Sequence, residues 1–311
     1  MNSKLKLTSL LLSMLFASGV FAQGMEFDTD LFQKRTEYKL TRAQLPASYS
    51  LMKYTPMIYP QIGSTCVGHS FANARTILLA KQLGITSKED ITSLLFSPYF
   101  VYYRNKSASE TKCATGLNME NAAMDFKNNG IPLLVDVEYP EYYPFTSVTI
   151  CNDKGSNYYP PSFDSDRENA LKFAPTEIYR IETLDQLREA LYIGMPVVIG
   201  MAVPPSFGKC TSDLWEPAAT DNIDNASGHA MVIVAYDDAK YGVAVQLMTS
   251  WGTDWGNQGY VWVSYDQIPN WVYGGYGIYV DESTTNYSAE KPDISSTSET
   301  QPQSEIVEVY G

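Results

Sequence analysis

The stretch that organises this chain is Pro60-Gln61-Ile62-Gly63-Ser64-Thr65-Cys66-Val67-Gly68-His69-Ser70-Phe71-Ala72. It leads into a run with few helix breakers after Gly68, and apolar residues give that run a face to bury: Phe71, Ile77, Leu78 and Leu79. The pattern predicts a helix from Cys66 to Leu83 with the cysteine at its start. Because the positive end of a helix dipole favours a thiolate, Cys66 is a candidate nucleophile.

A thiol becomes a strong nucleophile at neutral pH when an imidazole lies beside it, and the chain has only two histidines. His69 falls three residues after Cys66 on the predicted helix, where we expect it to serve packing. His229, in Gly228-His229-Ala230, is therefore the candidate base. Two distant histidines without a Cys-x-x-Cys pair predict no metal site, and nothing in the sequence points to another cofactor.

Helix signals fill the first half of the chain, and strand signals fill the second. Ser97-Pro98 opens one predicted helix, Asn118 caps another that Gly130 stops, and Thr183 to Gln186 form a capping box before a helix at 184–193. Runs rich in Val, Ile and Tyr predict strands at 196–203, 230–236, 243–248, 260–265 and 276–280. We therefore predict an α+β fold whose cleft lies between a helical half and an antiparallel β half.

The two ends of the chain have compositions of their own. Residues 1–22 have the charge, apolar stretch and small-residue ending of a signal peptide, which predicts export to the periplasm or the medium. Residues 284–311 are acidic and rich in Ser and Thr, which predicts a disordered tail. The formal charge of −13 argues against a nucleic-acid partner, and no later stretch is apolar enough to span a membrane. Oligomeric state is left open.

Five segments, in the right order, resemble the papain-like cysteine peptidases, especially their compact bacterial members. They are Leu45-Pro46, Gln61 to Ala72, Ser97 to Tyr103, Leu184 to Val198, and Ser250-Trp251-Gly252 through Gly259-Tyr260. The resemblance implies a two-lobed papain-like domain over 45–283, with a β-barrel-like second half. It also implies hydrolysis of peptide or protein substrates through a thioester acyl-enzyme.

The resemblance carries roles onto particular residues. Cys66 would be the nucleophile, His229 the general base and acid, and Gln61 an oxyanion-hole donor with the Cys66 backbone N–H. Trp251 would shield the catalytic hydrogen bond, and Gly116 would pair with an extended substrate as an added strand. The side-chain pocket would involve Leu117, Met119 and Ala230.

The sequence departs from the family pattern at two places. Thr249 stands where the family has the asparagine that orients the base, and Gln61 precedes Cys66 by 5 residues, one fewer than usual. Two alternatives to a peptidase therefore stay open. One is a peptide-binding pseudoenzyme with little turnover, and the other is a Cys-His amidase that acts on cell-wall peptides.

The pairing of Cys113, Cys151 and Cys210 and the position of residues 23–44 can also be predicted. The resemblance implies a disulfide between Cys113 and Cys151, with Cys151–Cys210 as the other pairing, and an exported chain can form either. Residues 23–44 are too short for the family's usual inhibitory prodomain. We expect this extension to pack on the surface, with a short plug of the site as the alternative.

Overall fold

The computed structural model describes residues 24–41, 43–107, 109–110, 113–136 and 163–281. The predicted signal peptide, Cys151 and the predicted tail lie outside these residues. The helices are α1 Thr29–Gln33, α2 Cys66–Leu83, α3 Lys88–Ser93, α4 Pro98–Asn105, α5 Met119–Asn129, α6 Phe163–Leu171, α7 Leu184–Tyr192, α8 Pro205–Gly208 and α9 Ile268–Trp271. The strands are β1 Met25–Glu26, β2 Ser48–Ser50, β3 Leu117–Asn118, β4 Glu177–Ile181, β5 Val197–Val203, β6 Leu214–Trp215, β7 Ser227–Asp237, β8 Ala244–Met248, β9 Tyr260–Ser264 and β10 Val272–Tyr279.

Three predicted helices begin directly after the capping residues identified in the sequence. The Ser97 hydroxyl accepts the Phe100 N–H at 3.2 Å at the start of α4, and Asn118 accepts the Asn121 N–H at 3.0 Å at the start of α5. The capping box of Thr183 and Gln186 is present at the start of α7, which ends at Tyr192. These side chains satisfy N–H groups that have no partner within the helix.

One large, mostly antiparallel sheet fills the second half of the molecule. Its strand order is β4-β10-β5-β7-β8-β9-β6, with β2 paired to the far end of β7. The predicted strands are all present within a few residues of their expected bounds. The pattern missed β4, whose five residues alternate polar and apolar side chains too weakly to stand out.

The helical half packs on this sheet through α2. Its buried side chains and those of β5 and β7 belong to one hydrophobic core, which contains Val67, Phe71, Val198 and Ile233. A Cβ added to Gly68 would lie 2.3 Å from the Pro98 carbonyl oxygen, so the glycine lets α2 and α4 approach closely. The first turn of α2 therefore meets β7 at a fixed place, and Cys66 lies there.

Candidate active site

Cys66 is the first residue of α2 and is fully buried. Its thiol donates a hydrogen bond to the Gly24 carbonyl oxygen at 2.8 Å. Burial raises the pKa of the thiol to about 12, although backbone N–H groups of Ala230, Val67 and Cys66 itself oppose that rise. The Ala230 contact places the sulfur beside the β7 residue that follows His229.

His229 lies on β7, paired with Met201 of β5, and only 3% of it is exposed. Its ring stacks on the Trp251 ring, with 4.2 Å between centroids and 25° between planes. Burial, helped by His69, lowers the pKa of the imidazole to about 3. In this closed arrangement the thiol and the imidazole are therefore both neutral.

One ring nitrogen of His229 has no hydrogen-bond partner among the described residues: its Nε2 is buried and unbonded. Thr249, predicted at the position of the orienting asparagine, donates its hydroxyl hydrogen to the Gly259 carbonyl oxygen at 3.2 Å instead. The structure thus places Thr249 near the site without a hydrogen bond to the base.

Gln61 is hydrogen-bonded to Ser250, the residue before Trp251. Its backbone N–H donates to the Ser250 carbonyl oxygen at 2.7 Å, and its side-chain Oε1 accepts the Ser250 hydroxyl at 2.6 Å. Its Nε2 donates to the Gly63 carbonyl oxygen at 2.7 Å. One amide hydrogen is left over, which is what a second oxyanion donor needs.

The shortened loop between Gln61 and Cys66 closes through a glycine. Gly63 has a φ of +59°, and a Cβ there would lie 2.4 Å from the Cys113 carbonyl oxygen. The Ser64 N–H donates to that same oxygen at 2.7 Å. Only glycine fits this left-handed position, so the loop is rebuilt around Gly63.

Residues 24–26 lie in the cleft, which agrees with the plug alternative and corrects the expectation of surface packing for this part of the extension. β1 pairs in parallel with β3, with Met25 opposite Leu117 and Glu26 opposite Asn118. β3 follows directly after Gly116, the residue predicted to pair with substrate. The edge of β3 is therefore occupied by the chain's own β1. Together with the Gly24 contact to Cys66, this arrangement covers the nucleophile.

The side chain of Met25 fills a pocket in which two wall positions, Gly200 and Gly228, have no side chain. A Cβ added to Gly200 would lie 3.1 Å from the Met25 sulfur and 2.8 Å from that of Met119. A Cβ added to Gly228 would lie 2.6 Å from the Met25 carbonyl oxygen. Leu117, Met119 and Ala230, the residues predicted for the side-chain pocket, are all buried in the core around it. Gly200 and Gly228 are pocket residues that the sequence analysis missed.

The remainder of the extension is anchored to both halves. Arg35 makes a two-point ion pair with Glu120, both nearly buried, and donates to the Ile178 carbonyl oxygen at 3.1 Å. The Phe32 ring packs 5.3 Å from that of Tyr276. These apolar and charged contacts hold the segment against both halves of the molecule.

His69 has the packing role predicted for it. It is 5% exposed, its Nδ1 lies 3.1 Å from the Thr65 carbonyl oxygen, and its ring packs edge-on against Tyr99 at 5.7 Å. Burial lowers its pKa to about 4.

Of the other described cysteines, one is free and one is disulfide-bonded. Cys210 is a free, buried thiol, so the alternative pairing Cys151–Cys210 is wrong. Cys113 is disulfide-bonded; Cys151 lies outside the described residues, and its pairing with Cys113 stays a prediction.

The described residues contain neither a cluster of metal-ligating side chains nor a membrane-spanning helix. In this part of the chain, no group of three or more His, Cys, Asp or Glu side chains is placed to hold a metal ion. No helix within the same ranges is both long and apolar enough to cross a membrane.

The sequence model of the papain family cysteine proteases matches residues 68–279. This chain belongs to the papain family. The match includes His229 and begins two residues after Cys66. No curated protein matches the sequence.

Solved structures share the fold of this family member. Xylellain, a cysteine protease from Xylella fastidiosa, is 20% identical with a TM-score of 0.60, over 80% of this chain and 92% of that one. Digestive procathepsin L 3 of Tenebrio molitor larval midgut is 18% identical with a TM-score of 0.58, over 79% and 74%. ProCathepsin B S9 from Trypanosoma congolense is 16% identical with a TM-score of 0.59, over 79% and 83%. At these identities the likeness concerns the fold alone.

Proposed function

We propose that this papain family member is an exported cysteine peptidase that is latent while residues 24–26 cover its nucleophile. The observation that carries the proposal is the placement of Cys66 at a helix start, against β7 at Ala230, the residue that follows His229. An extended peptide, the chain's own, lies over its sulfur as an added strand. Export rests on the signal-like residues 1–22.

The reaction begins when residues 24–26, the tip of the N-terminal segment, leave the cleft and a substrate peptide takes their place. His229 removes the thiol proton, and the Cys66 sulfur attacks the substrate carbonyl carbon. The free amide hydrogen of Gln61 and the Cys66 N–H stabilise the negative oxygen that forms. His229 then protonates the leaving amine, and a water molecule that His229 deprotonates hydrolyses the thioester.

The closed arrangement opposes this chemistry in two ways. The thiol of Cys66 donates a hydrogen bond to the Gly24 carbonyl oxygen, and its proton is the one that His229 must remove. Burial also keeps both groups neutral, because it raises the pKa of Cys66 and lowers that of His229. When the tip leaves, water reaches both groups and the charged pair becomes more stable.

The test is intact-mass analysis after exposure to a papain-class epoxide inhibitor at neutral pH. The protein is compared with Met25→Asp, which places a charge in the apolar pocket and so drives the tip out, and with Met25→Asp/Cys66→Ala. We expect one stoichiometric adduct that forms faster on Met25→Asp and is absent without Cys66. The opened variant should also cleave casein.

A pseudoenzyme is the second candidate, favoured by the unbonded Nε2 of His229 and the Thr249 hydroxyl that points to Gly259. No adduct on Met25→Asp, together with an adduct on Met25→Asp/Thr249→Asn, would favour it. An adduct with cleavage of cell-wall stem peptides and intact casein would favour the amidase.

A further inference from the structure

The chain itself closes one end of the cleft. The tip continues through Glu26 into Phe27, and α1 begins two residues after Phe27. The Phe27 ring lies 5.0 Å from the Phe32 ring of α1 and stacks on Tyr273 of β10, with 5.6 Å between centroids. Phe27 and α1 together are called the end wall below.

The end wall is attached to both halves of the molecule. A Cβ added to Gly274 of β10 would lie 2.6 Å from the Phe32 ring and 2.9 Å from the Phe27 ring, so this glycine lets the wall pack directly on the β half. Arg35, two residues after α1, forms the buried ion pair with Glu120 of the helical half. The wall therefore crosses the cleft and is held at both sides.

The distance from the nucleophile to the end wall is short. The Gly24 carbonyl oxygen accepts the hydrogen bond from Cys66, and only Met25 and Glu26 separate that carbonyl group from Phe27. An extended peptide advances about 3.3 Å per residue whichever way it runs. When the tip leaves, the space along β3 therefore has room for about two substrate residues between the sulfur and the wall.

The end wall is also acidic. Glu26 and Asp30 are exposed, and Asp28 caps α1 by accepting the Leu31 N–H at 2.9 Å. Glu26 stays attached to Phe27 when the tip leaves, so its carboxylate remains within one residue of the wall. A positive α-ammonium group that ends a two-residue segment is stabilised here, whereas an acetylated end brings no charge.

We propose that the opened enzyme is a dipeptidyl peptidase, which removes two residues at a time from the free N-terminus of a peptide whose acyl part lies along β3. The proposal rests on the proposed peptidase function and specifies the substrate class of the same site. The bond after the second residue breaks, and the shortened chain leaves with a proton from His229. Water then hydrolyses the thioester and releases the dipeptide.

The test compares three aminomethylcoumarin substrates on the full-length Met25→Asp protein. They carry a methionyl-glycyl dipeptide with a free amine, the same dipeptide acetylated, and an acetylated dialanyl-methionyl-glycyl tetrapeptide. We expect kcat/KM for the free dipeptide to exceed the other two by about tenfold or more, because the wall excludes the longer chain. Mass spectrometry should show casein losing dipeptides from its N-terminus without internal cuts.

Phe27→Ala in the same background reduces the wall. It should lower the preference for the free dipeptide over the acetylated tetrapeptide roughly three- to tenfold, the size expected for lost aromatic contacts. The matched control is Tyr49→Ala, which removes a partly buried ring of β2 that packs on Tyr192, at the far end of β7. This control should keep the preference of the parent.

Glu26→Gln provides an independent test if Phe27→Ala does not fold. It should raise KM for the free dipeptide about two- to fivefold, as expected for an exposed ion pair, and leave the acetylated dipeptide unaffected. Glu89→Gln, a change at an exposed acid of α3, is the control for net charge and should alter neither value.

The outcomes separate this proposal from the peptidase function. Equal kcat/KM for the free dipeptide and the acetylated tetrapeptide, or internal cuts in casein, would overturn the dipeptidyl assignment and leave the peptidase standing. Dipeptides released from the C-terminus would show that the leaving part of the substrate lies along β3, which also overturns it. If no peptide is cut and no epoxide adduct forms on Cys66, both proposals fail together.

Discussion

The two parts of the N-terminal segment are held by different means. The tip, residues 24–26, is held by the two-residue pairing of β1 with β3, by the Met25 side chain in its pocket, and by the hydrogen bond from Cys66 to Gly24. The anchor, from Phe27 onward, is held by the buried Arg35–Glu120 pair and by rings packed on Tyr276. In the proposed latent enzyme, the anchor is a permanent part of the fold and residues 24–26 alone leave the cleft.

Rough energies agree with this division. Full burial of a methionine side chain contributes about 1.5–3 kcal/mol, and one hydrogen bond adds about 1 kcal/mol. Ordering the backbone of three residues costs about 1–2 kcal/mol each. The tip is therefore close to balance between closed and open, whereas the anchor is not.

The largest expected effect comes from breaking the anchor. Arg35→Met leaves the Glu120 carboxylate buried without its partner, which should lower the free energy of unfolding by about 3–5 kcal/mol. Urea unfolding followed by tryptophan fluorescence measures it. The double variant Arg35→Met/Glu120→Gln should regain a large part of that loss, because no unpaired charge is left. A loss below about 1 kcal/mol in Arg35→Met would contradict the assignment of the anchor.

Breaking the tip should change reactivity far more than stability. Met25→Asp should speed epoxide modification of Cys66 by about tenfold or more, while the free energy of unfolding changes by about 1 kcal/mol or less. The matched control is Met124→Asp, because that methionine is 50% exposed on α5. Equal rates in the two variants would mean that the tip does not limit access to the thiol.

The tip should respond to pH, because closure buries both Cys66 and His229. The pKa of His229 is about 3 in the closed form against an ordinary 6.5, so the closed form is favoured above about pH 6.5 and loses stability as pH falls towards 3. The pKa of Cys66 is raised to about 12 from 9.0, so closure also weakens as pH rises above about 9. Closure should be greatest between these limits.

The methyl NMR signal of Met25, assigned by its loss in Met25→Leu, follows this equilibrium directly. We expect the closed signal to weaken from pH 7 to pH 5, and His229→Gln to remove most of that change. A closed population that stays constant over this range in the wild type would contradict the coupling between tip and base.

The smallest expected effect concerns Thr249. Thr249→Val keeps the shape of the side chain and loses only the hydroxyl bond to Gly259, so the epoxide rate should change less than about twofold. Thr249→Asn should raise it a few-fold by giving Nε2 a partner. These rates are best compared in the Met25→Asp background, where the tip does not mask them. A large loss in Thr249→Val would show that the hydroxyl orients the base after all.

Much of the fold could be predicted because its signals are local. The helix at Cys66, the caps at Ser97, Asn118 and Thr183, and the apolar strands each follow from neighbouring residues. The family was recognisable from motifs that are spread along the chain, and the match over residues 68–279 confirms it.

What could not be predicted depends on contacts between distant residues. Nothing around Gly24 and Met25 indicates a place in the cleft, because that place is defined by Gly200, Gly228 and Leu117, far along the chain. A changed loop between Gln61 and Cys66 could be predicted, because it is one residue shorter than the family pattern. Its path around Gly63 could not be predicted.

The anchor has a further consequence for the tip in the proposed latent enzyme. A tip that leaves the cleft stays tethered a few residues from it, so it competes with substrate at an effective concentration in the millimolar range. Dilution cannot remove such a competitor, and no second protein is needed to restore it. The apparent affinity for every substrate is then reduced by the same factor, which is set by how often the tethered tip has returned.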